Sequence, residues 1–131
     1  MIRSHSNPRL KAAIRLRDSR ARRATGRFLI DGHTELERAL ASGFIAETVF
    51  YSGDPARESL AALGVPEGAQ WEVTPELLKR LSYGQRDADV VCVALTPALP
   101  LSKIQLDAQS FVLALDNTEK PGNLGACLRT A

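Results

Sequence analysis

The sequence predicts an α/β sandwich with a largely parallel sheet, and three observations carry that prediction. Short apolar runs alternate with stretches of helical spacing through residues 27–95. Val90-Val91-Cys92-Val93 is apolar on both faces, as a central strand requires. Apolar residues make up 44% and charged residues 24% of the 131, ordinary globular values that exclude a disordered chain, a collagen-like repeat and a coiled coil. The length suits one domain, so any second domain would be incomplete.

Asn7 followed by Pro8 marks a helix start, because Asn caps free N–H groups and proline at the first helical position loses no hydrogen bond. One helix is expected from about Pro8 to Arg23, ending near Gly26. On a 100° wheel Leu10, Ile14 and Ala21 share a narrow sector, with Lys11, Arg15 and Arg22 in the next. Phe28-Leu29-Ile30 reads as a strand and Asp31-Gly32 as a turn. Thr34 and Glu37 then have capping-box spacing, Leu36, Ala39 and Leu40 form an apolar stripe, and Gly43 stands at the C-cap. The pattern continues as strand 45–51, helix 55–63, strand 70–73, helix 75–81 and strand 90–95. Thr96 to Pro100 carries two prolines and reads as a stiff linker. Phe111 to Leu115 is expected as a further buried strand, 117–123 as a turn-rich loop, and Leu124 to Ala131 as a helix start. No internal repeat is present.

The charge is segregated. Residues 1–27 hold nine basic side chains against Asp18, a local charge of +8, whereas the other 104 residues hold eight basic against fourteen acidic, −6. Such segregation points to a polyanion, because neutralising phosphates with Lys and Arg drives nucleic-acid binding. Cys92 and Cys127 are the only cysteines and form no CxxC pair. With only His5 and His33 beside them, they exclude a disulfide scaffold, argue against a metal site and make a reducing cytoplasmic compartment the default. The longest apolar run, Val90 to Leu95, is too short to cross a bilayer, and the N-terminus has no apolar signal core, so no membrane partner is expected.

Leu115 to Ala131 combines a strand, a glycine-containing loop and a helix N-terminus, a common setting for anionic ligands. It is neither a P-loop nor a dinucleotide fingerprint, lacking Gly-Lys-Ser/Thr and GxGxxG. Pro121, Gly122, Asn123, Leu124, Gly125, Ala126, Arg129, Thr130 and Ala131 read PGNLGAxxRTA. This resembles the first signature motif of the SpoU-type, TrmH-like branch of the SPOUT RNA 2′-O-ribose methyltransferases. Ser6-Asn7-Pro8 with Leu10-Lys11, followed by Arg27 to Gly32, is similar to that family's N-terminal substrate-binding domain, which usually has Glu where Asp31 stands.

The resemblance implies a three-layer, ribosomal-protein-like α/β RNA-binding domain over 1–95, a linker over 96–107, and the strand-loop-helix opening of a SPOUT trefoil-knot domain over 108–131. It implies methyl transfer from S-adenosylmethionine to a ribose 2′-OH of structured RNA, rRNA before tRNA, by a homodimeric parent enzyme. The two later motifs that form the cofactor knot are absent from these 131 residues, so this chain alone is expected neither to bind the cofactor nor to be active. Asn123 and Arg129 become the catalytic-loop residues. Arginine is a poor proton acceptor, so Arg129 is given phosphate positioning and alkoxide stabilisation. Asn7, Arg9, Lys11, Arg15, Arg22, Arg23 and Arg27 are the expected RNA contacts. The rivals are a stand-alone, non-catalytic RNA-binding module and a nucleotide-binding or protein-interaction α/β domain.

Other candidates read as structural. His33 is a lone histidine near a helix start. Glu35 and Glu37 point to different helix faces, against a glycosidase-like pair. Cys127 lacks a histidine partner. Trp71, Tyr51 and Tyr83 are too scattered in sequence for a base-stacking platform.

Overall fold

In the computed structural model, which describes residues 1–85, 87–118 and 120–130, Asn7 begins the first helix as its chemistry dictates. Its side-chain oxygen accepts from the N–H groups of Arg9, at 2.9 Å, and Leu10, at 3.3 Å. That helix, α1 (Pro8–Arg15), does not run on to Arg23. It stops at Leu16, and α2 (Ser19–Thr25) starts with Asp18 as its own N-cap, accepting from Arg20 N–H at 2.6 Å. The single acid of the basic segment is thus the residue that splits the predicted helix. Gly26 closes α2 at φ 62°, a left-handed position open to glycine at little cost.

Four strands follow, β1 (Arg27–Asp31), β2 (Ala46–Tyr51), β3 (Gln70–Glu72) and β4 (Val90–Leu95), in the order β1-β4-β2-β3. The sheet is mixed, not largely parallel. β2 pairs parallel with β3, but β4 lies antiparallel between β1 and β2. The apolar run of β4 reported burial on both faces correctly. Direction leaves no trace in such a run, because either sense buries the same side chains. β2 carries a register shift between Ala46 and Thr48. At the outer edge Ile2 bridges Val73 in parallel, its N–H donating to the Glu72 carbonyl at 2.6 Å.

Between the strands lie α3 (His33–Ala41), α4 (Asp54–Ala62) and α5 (Pro75–Leu81). The Thr34/Glu37 capping box does not form. α3 begins two residues earlier than that cap implies, behind Gly32 at φ 100°, where a Cβ would lie 2.6 Å from the Glu35 carboxylate. Strand alternation sends side chains to two apolar clusters. Phe50, Val91 and Val93 pack with Leu10, Ala13 and Leu16 near α1 and with Leu77, Leu78 and Leu81 of α5. Val49, Tyr51, Val90, Cys92 and Ala94 pack with Leu36 of α3 and with Ala56 and Leu60 of α4.

The chain divides into two compact units, Met1–Ala98 and Leu99–Ala131. The second contains a short 3₁₀ turn, Leu101–Lys103, and α6 (Pro121–Thr130), which starts three residues before the predicted Leu124. Phe111 to Leu115 is not a strand. Phe111 is 88% exposed, and its neighbours through Leu115 are exposed as well. A strand exists by pairing, and among the described residues nothing pairs with this segment. Ala131 of the motif lies outside the described residues.

Candidate functional site

The basic segment folds into the elbow of α1 and α2, and the structure sorts its cations by what they touch. Lys11 and Arg15, one helical turn apart on α1, are exposed, as are Arg20 and Arg23 on α2. Among the described residues none of these four side chains has an internal hydrogen bond or ion pair. Arg9 is exposed too, but its guanidinium carbon sits 4.2 Å from the centroid of the half-buried Trp71 ring, a cation–π contact that holds the guanidinium in place.

Arg22, Arg27 and Arg17 are engaged, and Arg3, ahead of the elbow, is exposed. Arg22 donates through Nη1 to the carbonyls of Leu16 and Arg17, both at 2.9 Å, and so satisfies the open end of α1. Arg27 forms a two-pronged pair with Glu47, Nη2 to Oε1 at 2.5 Å, and donates to the Thr25 carbonyl at 3.1 Å. The shared hydrogen bonds raise the Arg27 pKa and lower that of Glu47. Asn7 spends its side-chain oxygen on the helix cap. Of the seven contacts expected from sequence, Lys11, Arg15 and Arg23 present unencumbered charge, Arg9 is stacked, and Asn7, Arg22 and Arg27 already have partners.

Arg17 escaped the sequence reading. It grips Asp31 in a fork, Nη1 to Oδ2 at 2.8 Å and Nη2 to Oδ1 at 2.5 Å, and donates through Nε to the Leu81 carbonyl at 2.9 Å. The elbow is thereby tied to β1 and to the end of α5. A signal existed in Asp18, whose N-cap chemistry marks the break that places Arg17 in the elbow. Arg17 and Arg22 also border a cleft of about 480 Å³ with Tyr83, which is 65% exposed.

In the second unit Asn123 lies in the first turn of α6 and Arg129 in the last, both exposed. Six helical residues put them about 120° apart around the axis. The structure brings Arg129 to Gly125 instead, where a Cβ would meet Nη1 at 3.3 Å. His33 hydrogen-bonds through Nε2 with Ser59 Oγ, joining α3 to α4. Among the described residues no carboxylate is bonded to that histidine, and no group of three or more His, Cys, Asp or Glu could hold a metal. No described helix is long and apolar enough to cross a membrane.

The mixed four-stranded sheet and its flanking helices, which carry this elbow, form a fold shared with known proteins. Residues 7–92 match the MRM3-like substrate binding domain. The chain belongs to that family. It is related to SpoU-type RNA 2′-O-methyltransferases. The 23S rRNA (uridine(2479)-2′-O)-methyltransferase of Streptomyces viridochromogenes is 28% identical over 127 residues, 92% of this chain and 42% of that protein. A crystal structure of an RNA 2′-O ribose methyltransferase superposes with a TM-score of 0.76 at 34% identity, covering 98% of this chain and 50% of the other. The SpoU methyltransferase AviRb from Streptomyces viridochromogenes, solved with AdoMet, shares the fold at a TM-score of 0.62 and 24% identity over 77% of this chain and 38% of its own. The chain thus spans half the length or less of each of these relatives. The MRM3-like match ends at Val91-Cys92, inside β4, and does not extend to the motif on α6.

Proposed function

We propose that this chain supplies the RNA grip of an rRNA 2′-O-ribose methyltransferase. The observation that carries the reading is the set of unpaired, exposed cations Lys11, Arg15, Arg20 and Arg23 on one continuous elbow, in a domain whose relatives act on RNA. Lys and Arg without internal partners are free to displace counterions from phosphates. Arg17, Arg22 and Arg27 keep the elbow and the adjoining strand in shape. Asn7 contributes by capping α1, and Arg9 by presenting a guanidinium plane fixed on Trp71.

The finer assignments belong to the same reading. The 1–95 region is the ribosomal-protein-like, three-layer substrate domain, 96–107 the linker, and 108–131 the opening of the knotted SPOUT domain. Asn123 and Arg129 face the ribose, Arg129 holding phosphate and stabilising negative charge on the 2′-oxygen. The parent enzyme is a cytoplasmic homodimer that takes its methyl group from S-adenosylmethionine and prefers rRNA to tRNA. The described residues of 99–130 whose burial is assigned are exposed except Gly125 and Cys127, and they form no enclosure that fits this cofactor.

The test is salt-dependent binding of a structured rRNA fragment by the full chain, followed by fluorescence anisotropy. Lys11→Ala, Arg15→Ala and Arg23→Ala together are expected to reduce the log–log salt slope by roughly two to three. An unchanged slope would place the binding face elsewhere and overturn the reading.

A further inference from the structure

We propose that the cleft beneath α1 receives one unstacked nucleobase of the RNA, an inference that rests on the RNA-binding reading above. The cleft has a volume of about 250 Å³. That is just under the roughly 300–1,000 Å³ typical of drug-sized ligand pockets, room for a single heterocycle. Its floor is Ala13, Leu16, Phe50 and Val93, each less than 7% exposed. Two features open it. Alanines at 12 and 13 keep α1 slim over the sheet, and the register shift between Ala46 and Thr48 releases Glu47 from the β2 ladder and lets it meet Arg27.

The chemistry of the lining selects the ligand. The apolar floor accepts a flat ring and repels free phosphate. At the rim the Arg27–Glu47 pair presents both donors and acceptors, Thr48 adds a hydroxyl, and Thr25, whose hydroxyl proton goes to the Ala21 carbonyl, adds an acceptor oxygen, the complement that a base edge needs. Arg9 stands at the same cleft with its guanidinium held over Trp71, a fixed plane on which a base can stack. Most of the lining comes from the segment whose charge is +8, so the ring that enters is one carried on a polyanion. An apolar ring with a polar edge on a phosphate chain is a nucleobase. Single-stranded loops offer bases at low unstacking cost, and paired helices do not.

The experiment uses the full chain, an RNA hairpin whose loop carries 2-aminopurine, and a fully paired duplex of equal length at one salt concentration. The wild-type chain is expected to prefer the hairpin by roughly tenfold and to change the 2-aminopurine fluorescence as the base leaves its neighbours. Ala12→Leu fills the cleft from an exposed helical position, and Thr48→Val removes a rim hydroxyl with little change of shape. Both variants are expected to lose most of the hairpin preference while keeping duplex affinity, salt slope and unfolding midpoint. Folded variants that retain the full preference overturn the inference. So does a wild-type chain that binds hairpin and duplex equally, or one whose cleft mediates self-association that Ala12→Leu abolishes. A chain that binds neither RNA overturns the functional reading itself.

Discussion

Cys92 lies in the middle of β4 with none of its surface exposed, and burial pushes its thiol up to about 12. Cys127 sits half-buried on α6. The native chain is therefore expected to react with a thiol reagent at pH 8 in two phases, Cys127 first and Cys92 only as the chain unfolds. Two equally fast equivalents would show that β4 opens on the timescale of labelling. The arginines make the same point about context. Within 13 residues Arg15 is exposed charge, Arg17 a brace, Arg22 a helix terminus partner and Arg27 half of an ion pair. Arg27 and Glu47 both remain more than a third exposed, so solvent screening keeps their pair a weak contributor to stability. The folded-state carboxylate has the lower pKa, so that contribution is full above about pH 4.5 and fades as the pH falls below it.

At the scale of elements, neither half of the elbow can stand alone. Helices of eight and seven residues are well below the about 12–15 needed for marginal stability in water. Packing through Leu10, Ala13 and Leu16 holds α1, Arg22 ties α2 to its end, and Arg17 adds polar fastening at the joint. Arg17→Ala leaves both Asp31 and the Leu81 carbonyl without this partner in a half-exposed setting. The expected loss is about 1–3 kcal/mol in urea unfolding. Arg17→Lys keeps the charge but not the fork, and is expected to recover less than half of the loss. Full recovery by lysine would reduce the contact to simple charge attraction.

At the scale of the whole molecule, no buried residue among those described lies beyond Ala94. Both apolar clusters belong to the first unit, while Phe111, Val112, Leu113 and Leu115 expose contiguous apolar surface in the second. A chain ended at Ala98 is expected to keep its thermal midpoint within about 4 °C of the 131-residue chain, a shift worth less than about 1 kcal/mol. It is also expected to be more soluble. Calorimetry decides: a larger fall would show that residues 99–131 stabilise the sheet.

Local chemistry made much of this molecule legible in advance. The Asn7-Pro8 start, the helix end at Gly26, the six-residue run at Val90 and the helix at Pro75 follow rules that act within about one helical turn or one strand, so residue order is enough to state them. The charge of residues 1–27 and the motif at 121–130 likewise sit in contiguous sequence. The capping signal at Asp18 was present too, but an amphipathic wheel drawn through it hid the break. Tertiary structure decided what depends on distant partners: the reversed β4, the unpaired Phe111 to Leu115, Arg9 on Trp71, and Arg17 on Asp31 and Leu81. Periodicity reports whether a side chain is buried. Which strand lies beside it, and which arginine is left with nothing to hold, is set by contacts between distant parts of the chain, 64 positions apart for Arg17 and the Leu81 carbonyl, and no local pattern encodes them.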